Sequence, residues 1–403
     1  MSKHQRVSFS HFEGLSDEIL LKIFSLLDIK GILKCGQVSK RLRTISNDQS
    51  LWLKLNLSGR EVPFDFIAKA VENGCEYLDL GSTWVKGGKK SELPWKLKYL
   101  EISKYDYCDP ELAREGLERV LQNCHLLQKL AVDDCILDSN EIEDICQNGN
   151  TLRILSLDKC NIGDPNIDYH NRTELIKKLF TSCPQLTELN ISDSEGPGLN
   201  DGGLNDCYLN NPILLDRHLC ALVDNLSPNI LKLNLCAQQC VNDKHVNTLV
   251  QRCQKITELD LSFTEITNDS LESIIKHLNS LEKLSVYYTN IDFSMLLKLK
   301  SISTMKILRC LYENQEEDDE KIKNLKLELP HISINEEHLR IASSKKFWSK
   351  NQSYDRDWFW EIRAKQQDLF PSKLIEINSS SDDSSNSLSK LGSDSSLEEI
   401  EQN

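Results

Sequence analysis

The stretch ITELDLSFTEITNDSLESI, residues 256–274, decides the fold class because its apolar pattern changes period halfway along. Leu259 and Leu261 alternate with polar residues, which is the period of a half-buried strand. Leu271 and Ile274 follow at helical spacing. The stretch therefore predicts one short strand followed by one helix.

The LxxLxL pattern of this unit recurs along most of the chain, which is typical of a solenoid. Successive copies are about 22 to 30 residues apart, except for two longer steps where we expect insertions. The larger insertion contains SEGPGLNDGGLND. The second apolar residues of the copies are Leu78, Leu100, Leu130, Leu155, Leu189, Leu233, Leu259, Leu284, Leu308 and Ile332.

The unit at residues 256–274 resembles the cysteine-containing type of leucine-rich repeat, and the resemblance runs from about residue 75 to 336. It implies an α/β solenoid shaped as a horseshoe, with about ten repeats. Parallel strands would form the concave face, helices the convex face, and leucines the layer between them.

The N-terminal stretch LSDEILLKIFSLL, residues 15–27, predicts a helix capped by Ser16 with acidic residues in its first turn. Its apolar residues cover far more than the roughly 100° stripe that one core requires. Two further short helices follow, and the unit ends at Trp52. About 45 residues bury little surface alone, so the unit should pack on the repeats, on another protein, or on both.

Residues 15–52 resemble an F-box, the three-helix motif that docks on the adaptor of SCF-type ubiquitin ligases. The resemblance implies an adaptor-binding surface, while Val38, Leu42 and Trp52 would pack the far side. That surface would consist of Leu15, Ile19, Leu20, Ile23, Phe24 and Leu27. The alternative is a helical cap that only shields the first repeat.

Composition and charge narrow the function classes. A net charge of -14 and the lack of a basic stripe argue against nucleic-acid binding. No apolar run approaches a membrane span and no signal peptide is recognisable, so we expect an intracellular protein of nucleus and cytoplasm that does not bind a membrane.

The 14 cysteines contain no CxxC pair, and most keep step with the repeats, which favours a role as small core fillers. No HExxH, GxSxG or phosphate-binding glycine loop occurs. The sequence therefore predicts a binding protein without a catalytic centre, metal or cofactor.

The C-terminal stretches LPHISINEEHLRIASSKKFW and DWFWEIR resemble the end of the S-phase kinase-associated class of F-box proteins, in which a tail follows the last strand. The final stretch is rich in serine and acids and predicts disorder. Its candidate phosphorylation sites are Ser380, Ser381, Ser395 and Ser396. The predicted segments are a disordered N-terminus (1–11), the F-box (12–57), the repeats (58–336), a cap or tail that packs on the solenoid (337–372) and a disordered tail (373–403).

A substrate surface is expected on the concave face, at positions one, three and four after each second leucine. Early and middle repeats place there Lys104, Asp133, Asp134, Asp158, Lys159 and Asp193, the four acids forming an acidic patch. Later repeats supply a predicted binding site for substrate or an accessory protein, consisting of Asp260, Phe263, Tyr287, Tyr288, Arg309 and Tyr312. The alternative is that the returning tail covers the aromatic residues with Trp358 and Trp360, so that the cluster is intramolecular packing.

The resemblance implies the substrate-recognition subunit of an SCF ubiquitin ligase. Its partners would be the adaptor with its cullin and RING subunits, a protein substrate of the cell cycle that is degraded after ubiquitination, and a cyclin-dependent-kinase accessory protein as a further candidate. The alternative is a leucine-rich-repeat interaction or inhibitor protein that binds its target without ubiquitin transfer.

Overall fold

The computed structural model describes residues 14–27, 29–87, 94–103, 116, 118–163, 169–192, 214–310 and 315–335. The predicted N-terminal tail, the C-terminal cap and the serine-rich tail with its four candidate phosphorylation sites lie outside these ranges. So does the stretch SEGPGLNDGGLND of the larger predicted insertion.

The described residues form one sheet of 11 parallel strands, in the order β1-β3-β5-β6-β8-β10-β11-β12-β13-β14-β15. Two short parallel pairs, β2 with β4 and β7 with β9, lie apart from it. The strands are β1 (Lys54–Asn56), β2 (Glu61–Pro63), β3 (Tyr77–Asp79), β4 (Trp84–Lys86), β5 (Tyr99–Ser103), β6 (Lys129–Asp133), β7 (Ile136–Leu137), β8 (Ile154–Ser156), β9 (Asn161–Ile162), β10 (Glu188–Asn190), β11 (Lys232–Asn234), β12 (Glu258–Asp260), β13 (Lys283–Ser285), β14 (Ile307–Arg309) and β15 (Ser333–Ile334).

The strand register confirms the predicted repeat for nine of its ten leucine positions, from Leu78 to Leu308, which lie side by side on successive strands. The tenth assignment is wrong, because Leu308 pairs with Ile334 and not with Ile332. Ile332 instead occupies the turn before β15, where its N–H donates to Leu329 O at 3.0 Å. The last repeat is therefore displaced by two residues from the sequence-based alignment.

Helices connect successive strands and pack beside one another. In the repeats they are α5 (Phe64–Glu72), α6 (Ser139–Gln147), α7 (Tyr169–Ser182), α8 (Asp216–Asn225), α9 (Asp243–Arg252), α10 (Asn268–His277), α11 (Phe293–Leu296), which continues as the 3-10 helix Leu297–Ser301, and α12 (Gln315–Glu328). Helices are about 10 Å wide and strands about 4.8 Å apart, so stacking both together bends the array toward the sheet. The sheet is therefore the concave face, as the sequence predicts.

The N-terminal unit consists of four short helices, α1 (Asp17–Phe24), α2 (Ile29–Val38), α3 (Lys40–Ser46) and α4 (Gln49–Trp52). Ser16 caps α1 as predicted, accepting a hydrogen bond from Ile19 N at 3.4 Å. Arg41 of α3 holds the start of α1 through an ion pair of 2.7 Å with Asp17. The Trp52 ring N–H donates to Ser46 O at 2.7 Å, which fixes α4 against α3.

The N-terminal unit and the repeats share one sheet. Leu55 of β1 pairs with Leu78 of β3, although β1 lies within the segment predicted to be the F-box. A single buried apolar cluster includes Leu20 and Phe24 of α1 together with the leucines of the first ten strands of the main sheet and Ile334 of β15. The helical unit is therefore built onto the solenoid through its first strand.

The apolar layer between sheet and helices contains most of the cysteines that keep step with the repeat. Cys124, Cys135, Cys160, Cys183 and Cys253 are buried free thiols, as expected for small core fillers. Among the described helices none combines the length and apolar character that a membrane crossing requires.

Candidate functional site

Helix α1 carries two apolar stripes with opposite environments. Leu20 and Phe24, one turn apart, are 0% and 1% exposed and belong to the core. Ile19 and Ile23, shifted by one residue, are 47% and 36% exposed, and Leu26, just beyond the helix, is 66% exposed. The excess of apolar residues in the sequence thus reflects one stripe in the core and a second stripe in contact with solvent.

The predicted adaptor surface is therefore corrected in two positions. Leu20 and Phe24 do not face solvent, because their side chains fill the interior between α1 and the rest of the helical unit. Leu15 and Leu27 are half-buried. We call the exposed residues Ile19, Ile23 and Leu26 the α1 face.

The far side of the helical unit differs in one residue from the prediction. Leu42 and Trp52 are buried, but Val38 at the end of α2 is 75% exposed and packs nothing. Leu33 of α2 is also exposed. Apolar surface on this unit is thus not confined to α1.

The concave sheet has a buried polar ladder where the sequence predicted an acidic patch. The side chain of Asp133 accepts hydrogen bonds from Ser156 Oγ at 2.6 Å and from Asp158 N at 3.0 Å. Asp158 in turn accepts from Ser192 Oγ at 2.6 Å. Both carboxylates are buried and Asp134 is half-buried, so these residues form a network inside the sheet surface. Lys104 and Asp193 lie outside the described residues.

A charged row that sequence reasoning missed runs one position before each second leucine. Glu188, Lys232, Glu258 and Lys283 lie on four neighbouring strands with alternating charge. Their nitrogen–oxygen distances are 3.9, 3.3 and 3.4 Å from one strand to the next. The alternation of Glu and Lys at this repeat position was visible in the sequence, but only in alignment by repeat.

The first strands continue this row with aromatic rings. Tyr77 and Tyr99 stack with centroids 4.2 Å apart and planes inclined by 6°. Lys54 lies over the Tyr77 ring at 5.1 Å. Burial, followed by the neighbouring Tyr99, raises the pKa of Tyr77 to about 12. Tyr77 is therefore a neutral phenol at physiological pH.

The structure divides the predicted substrate site into buried and exposed parts. Asp260 is buried, and its carboxylate accepts from Ser262 N at 2.9 Å, so it does not offer a surface to a partner. The prediction for Asp260 is wrong, because the adjacent strands enclose this position. Tyr287 and Arg309 are half-buried, and Tyr312 lies outside the described ranges.

Phe263 and Tyr288 are the exposed part of that site. They occupy the same position in successive repeats, at the rim where the strands end, and are 38% and 43% exposed. Their rings stack with centroids 4.8 Å apart. We call these two residues the rim pair.

Both residues of the rim pair have left-handed backbone conformations, with φ of 57° and 48°. Asp134, Lys159 and Ala237 share this conformation at the same repeat position, so the fold imposes it. Asparagine or glycine adopts it at lower cost than an aromatic residue. Local backbone preference therefore does not account for the two aromatic side chains.

The assembled features define a helical unit built onto a leucine-rich-repeat solenoid, and comparison with a known family gives the unit its class. Residues 17–58 match the F-box-like family model. The F-box protein dre-1 of Caenorhabditis elegans is 42% identical over 55 residues, which are 13% of this chain and 6% of the relative. The match thus spans only a small part of that curated relative.

Two solved structures show lower similarity over longer stretches. The leucine-rich repeat-containing protein LegL7 from Legionella pneumophila is 14% identical, with 66% of this chain and 76% of that chain covered and a TM-score of 0.35. Leiomodin-1 actin-binding site 2 is 18% identical, with 44% of this chain and 97% of that chain covered and a TM-score of 0.26. The solenoid assignment stands on the strand register and not on these matches.

Proposed function

We propose that this protein is a substrate-recognition subunit of an SCF-type ubiquitin ligase. The observation that carries the proposal is the α1 face, a solvent-exposed apolar stripe within the segment that matches the F-box-like family. Such a stripe is costly to leave in water and marks an interaction site when it is contiguous. The SCF adaptor, with its cullin and RING subunits, is the proposed occupant.

The concave side of the solenoid is the proposed substrate side. The rim pair supplies exposed aromatic area, and aromatic residues are enriched among residues that dominate binding energy. Two half-buried residues of the predicted site lie nearby in the fold. Tyr287 immediately precedes Tyr288, and Arg309 ends the next strand, β14. We propose that this side binds a protein substrate that is ubiquitinated for degradation. A narrower hypothesis is that the substrate has a role in the cell cycle and that a cyclin-dependent-kinase accessory protein assists its binding.

In this proposal the chain itself performs no chemistry. It holds a substrate close to a conjugating enzyme supplied by other subunits, which raises the effective concentration of substrate lysines. The protein would act in nucleus and cytoplasm.

The test changes two residues of the α1 face and leaves the buried residues Leu20 and Phe24 as they are. In the double variant Ile19→Ser with Ile23→Ser, we expect affinity for the purified adaptor to fall by at least about 30-fold, the effect of losing one binding hot spot of about 2 kcal/mol. The matched control is Leu126→Ser with Ile136→Ser, two apolar residues of the repeats that are 48% and 45% exposed. The control should bind the adaptor as the parent chain does.

Isothermal titration calorimetry with the adaptor gives the affinity, and circular dichroism confirms that both variants fold. Equal adaptor affinity of the α1 variant and the parent would contradict the proposal, as would a parent chain that does not bind the adaptor at all. A parent that binds a protein target on its concave side but no adaptor would support the interaction or inhibitor alternative.

A further inference from the structure

The first turns of two neighbouring outer helices bring three metal-ligating side chains together. Asp216 and Cys220 lie one turn apart on α8, and His245 lies in the first turn of α9. His245 Nε2 is 3.6 Å from Cys220 Sγ and 3.2 Å from Asp216 Oδ1. Cys220 Sγ is 4.0 Å from Asp216 Oδ2.

We propose that Asp216, Cys220 and His245 bind a divalent metal ion of the zinc class that joins α8 to α9. Zn²⁺ binds thiolate at about 2.3 Å and imidazole or carboxylate at about 2.0 to 2.2 Å in tetrahedral geometry, so its ligand atoms are about 3.4 to 3.6 Å apart. The observed separations bracket that value, the imidazole lying nearer to one carboxylate oxygen of Asp216 and the thiol distance being measured to the other. Thiolate and imidazole are also the donors that select zinc over magnesium or calcium.

The three ligands form a gradient from core to solvent. His245 is buried, Cys220 is half-buried and Asp216 is exposed. An ion can therefore enter past Asp216, and a water molecule can complete the coordination on the solvent side.

The next pair of helices has the same geometry with different donors. Asp243 and Asn247 of α9 hold the places of Asp216 and Cys220, and Ser270 of α10 holds the place of His245. Asp243 is closed off by hydrogen bonds from Thr267 N at 2.9 Å and from Ser270 N at 3.1 Å. The solenoid thus forms this corner repeatedly, but only the α8–α9 corner of these two contains a thiol and an imidazole.

Three contacts must change when the ion binds, and one of them is the contact of 3.3 Å between His245 Nε2 and the backbone oxygen of Asp216, which a metal on Nε2 removes. Lys244 Nζ lies 3.6 Å from Cys220 Sγ and has to move away, which its exposed side chain allows. His245 Nδ1 accepts from Asn242 N at 3.3 Å, and metal on Nε2 places the ring proton on Nδ1 and removes that bond. The side chain of Asn242 continues to cap α9 through Lys244 N at 3.2 Å.

Binding converts the Cys220 thiol to a thiolate–metal bond and releases its proton to the buffer. A metal-bound thiolate is shielded from alkylation, so the reaction of Cys220 with N-ethylmaleimide reports occupancy in the full-length chain. Mass spectrometry of the Cys220 peptide separates it from the other cysteines. The half-buried Cys146 on α6 is the reference thiol in the same molecule.

We expect ZnCl₂ to slow alkylation of Cys220 at least tenfold while leaving Cys146 unchanged. Asp216→Asn and His245→Gln should abolish this protection, and Lys244→Met should produce it at lower zinc concentration because a competing positive charge is gone. Asp224→Asn is the matched control, an exposed acid on the same helix. It should retain full protection.

Because Asp216 is exposed, Asp216→Asn should melt like the parent chain in EDTA, so its result stands even where His245→Gln unfolds. The proposal is overturned when zinc does not slow alkylation of Cys220, or slows Cys146 as strongly. It is also overturned when Asp216→Asn is protected as well as the parent, since the thiol alone would then bind the ion. None of these outcomes depends on adaptor binding.

Discussion

The rings of Phe263 and Tyr288 stack at 4.8 Å with planes inclined by 19°, although each residue pays a conformational cost for its place. The backbone of both is left-handed, which asparagine tolerates better than an aromatic residue. Stability and the proposed partner binding therefore make opposite demands on these two positions. Substitutions that suit the backbone separate the two roles.

The double variant Phe263→Asn with Tyr288→Asn should keep or raise the melting temperature, because relief of strain offsets the loss of one aromatic stack worth about 1 kcal/mol. Capture of substrate should be lost while adaptor binding persists. Quantitative mass spectrometry of co-purified proteins, normalised to the adaptor, measures this. Leu327→Asn on α12, 77% exposed, is the control. A marked fall in melting temperature with unchanged partners would show that the rim pair stabilises the fold and does not bind the substrate.

The two stripes of α1 should respond differently to truncation. Phe24→Ala removes a fully buried ring and should lower the free energy of unfolding by about 3 to 5 kcal/mol. Ile19→Ala, at a 47% exposed site of the second stripe, should change it by less than about 0.5 kcal/mol. Guanidinium unfolding followed by circular dichroism compares them. Similar midpoints for the two variants would contradict the assignment of the stripes.

Sequence periodicity was sufficient to find both stripes of α1 but not to say which one faces the core. Leu20 and Phe24 are as apolar as Ile19 and Ile23, so only the packing of α1 on α3 separates them. The prediction that Asp260 is exposed on the concave face was wrong for a similar reason. Alternation correctly placed Asp260 off the leucine layer, but side chains on strands about 4.8 Å apart bury one another. The corner of Asp216, Cys220 and His245 depends on the stacking of two helices, which no local spacing reveals.

The repeat register was predictable because leucine layers tolerate no shift along a parallel sheet. The exception, Ile332, shows the limit: Leu329, Ile332 and Ile334 fit the LxxLxL pattern as well as any copy does. Ile332 ends a turn as Met305 does before β14, but one residue follows it before the leucine layer where two follow Met305, so Ile334 reaches that layer. The geometry of the connection before β15 determines which isoleucine pairs with Leu308, and the LxxLxL pattern carries no information about that geometry.

Gly149 is expected to be irreplaceable because helix packing leaves no room for a side chain. A Cβ at this position would lie 1.9 Å from the carbonyl oxygen of Ser182, at the end of α7. Gly149→Ala should therefore destabilise the chain by about 3 kcal/mol or more, since backbone must shift. Gly59→Ala, which meets nothing within 4 Å but has φ of +69°, should cost only about 1 kcal/mol. Thermal melts of both variants rank the effects.

Lys129 on β6 should give the chain a stability that rises with pH in the alkaline range. Burial, the main cause, lowers its pKa to about 8 in the folded protein, whereas an unfolded lysine titrates near about 10.4. Between these values the unfolded chain binds more protons than the folded chain, so the free energy of unfolding increases as pH rises.

Lys129→Met removes the buried charge and should stabilise the protein at pH 7 by up to about 3 kcal/mol, from about 1.4 kcal/mol per pKa unit. The gain over the parent should shrink as the pH rises from 8 to about 10.4. Guanidinium midpoints at both ends of that window test it. Lys306→Met, an exposed lysine paired with Glu282 at 2.8 Å, should show no such trend. A gain that is independent of pH would mean that Lys129 titrates alike in the folded and unfolded chains, and would contradict the lowered pKa.

Strand β1 follows directly after the helical unit and is the first strand of the sheet. The distance from the helical unit to a residue on the concave face therefore increases with the number of strands between them. Seven strand steps separate β1 from β12, which carries Phe263 at its end, a path of about 34 Å along the sheet. Each of these strands pairs with the next, so the sheet holds the helical unit and the rim pair at a fixed separation. Removing or adding one repeat would shift a partner at the rim by about 5 Å and turn it about the curve of the array. If α1 binds the adaptor as proposed, repeat number, more than any single contact, would decide which lysines of a bound protein come within range of the ligase subunits.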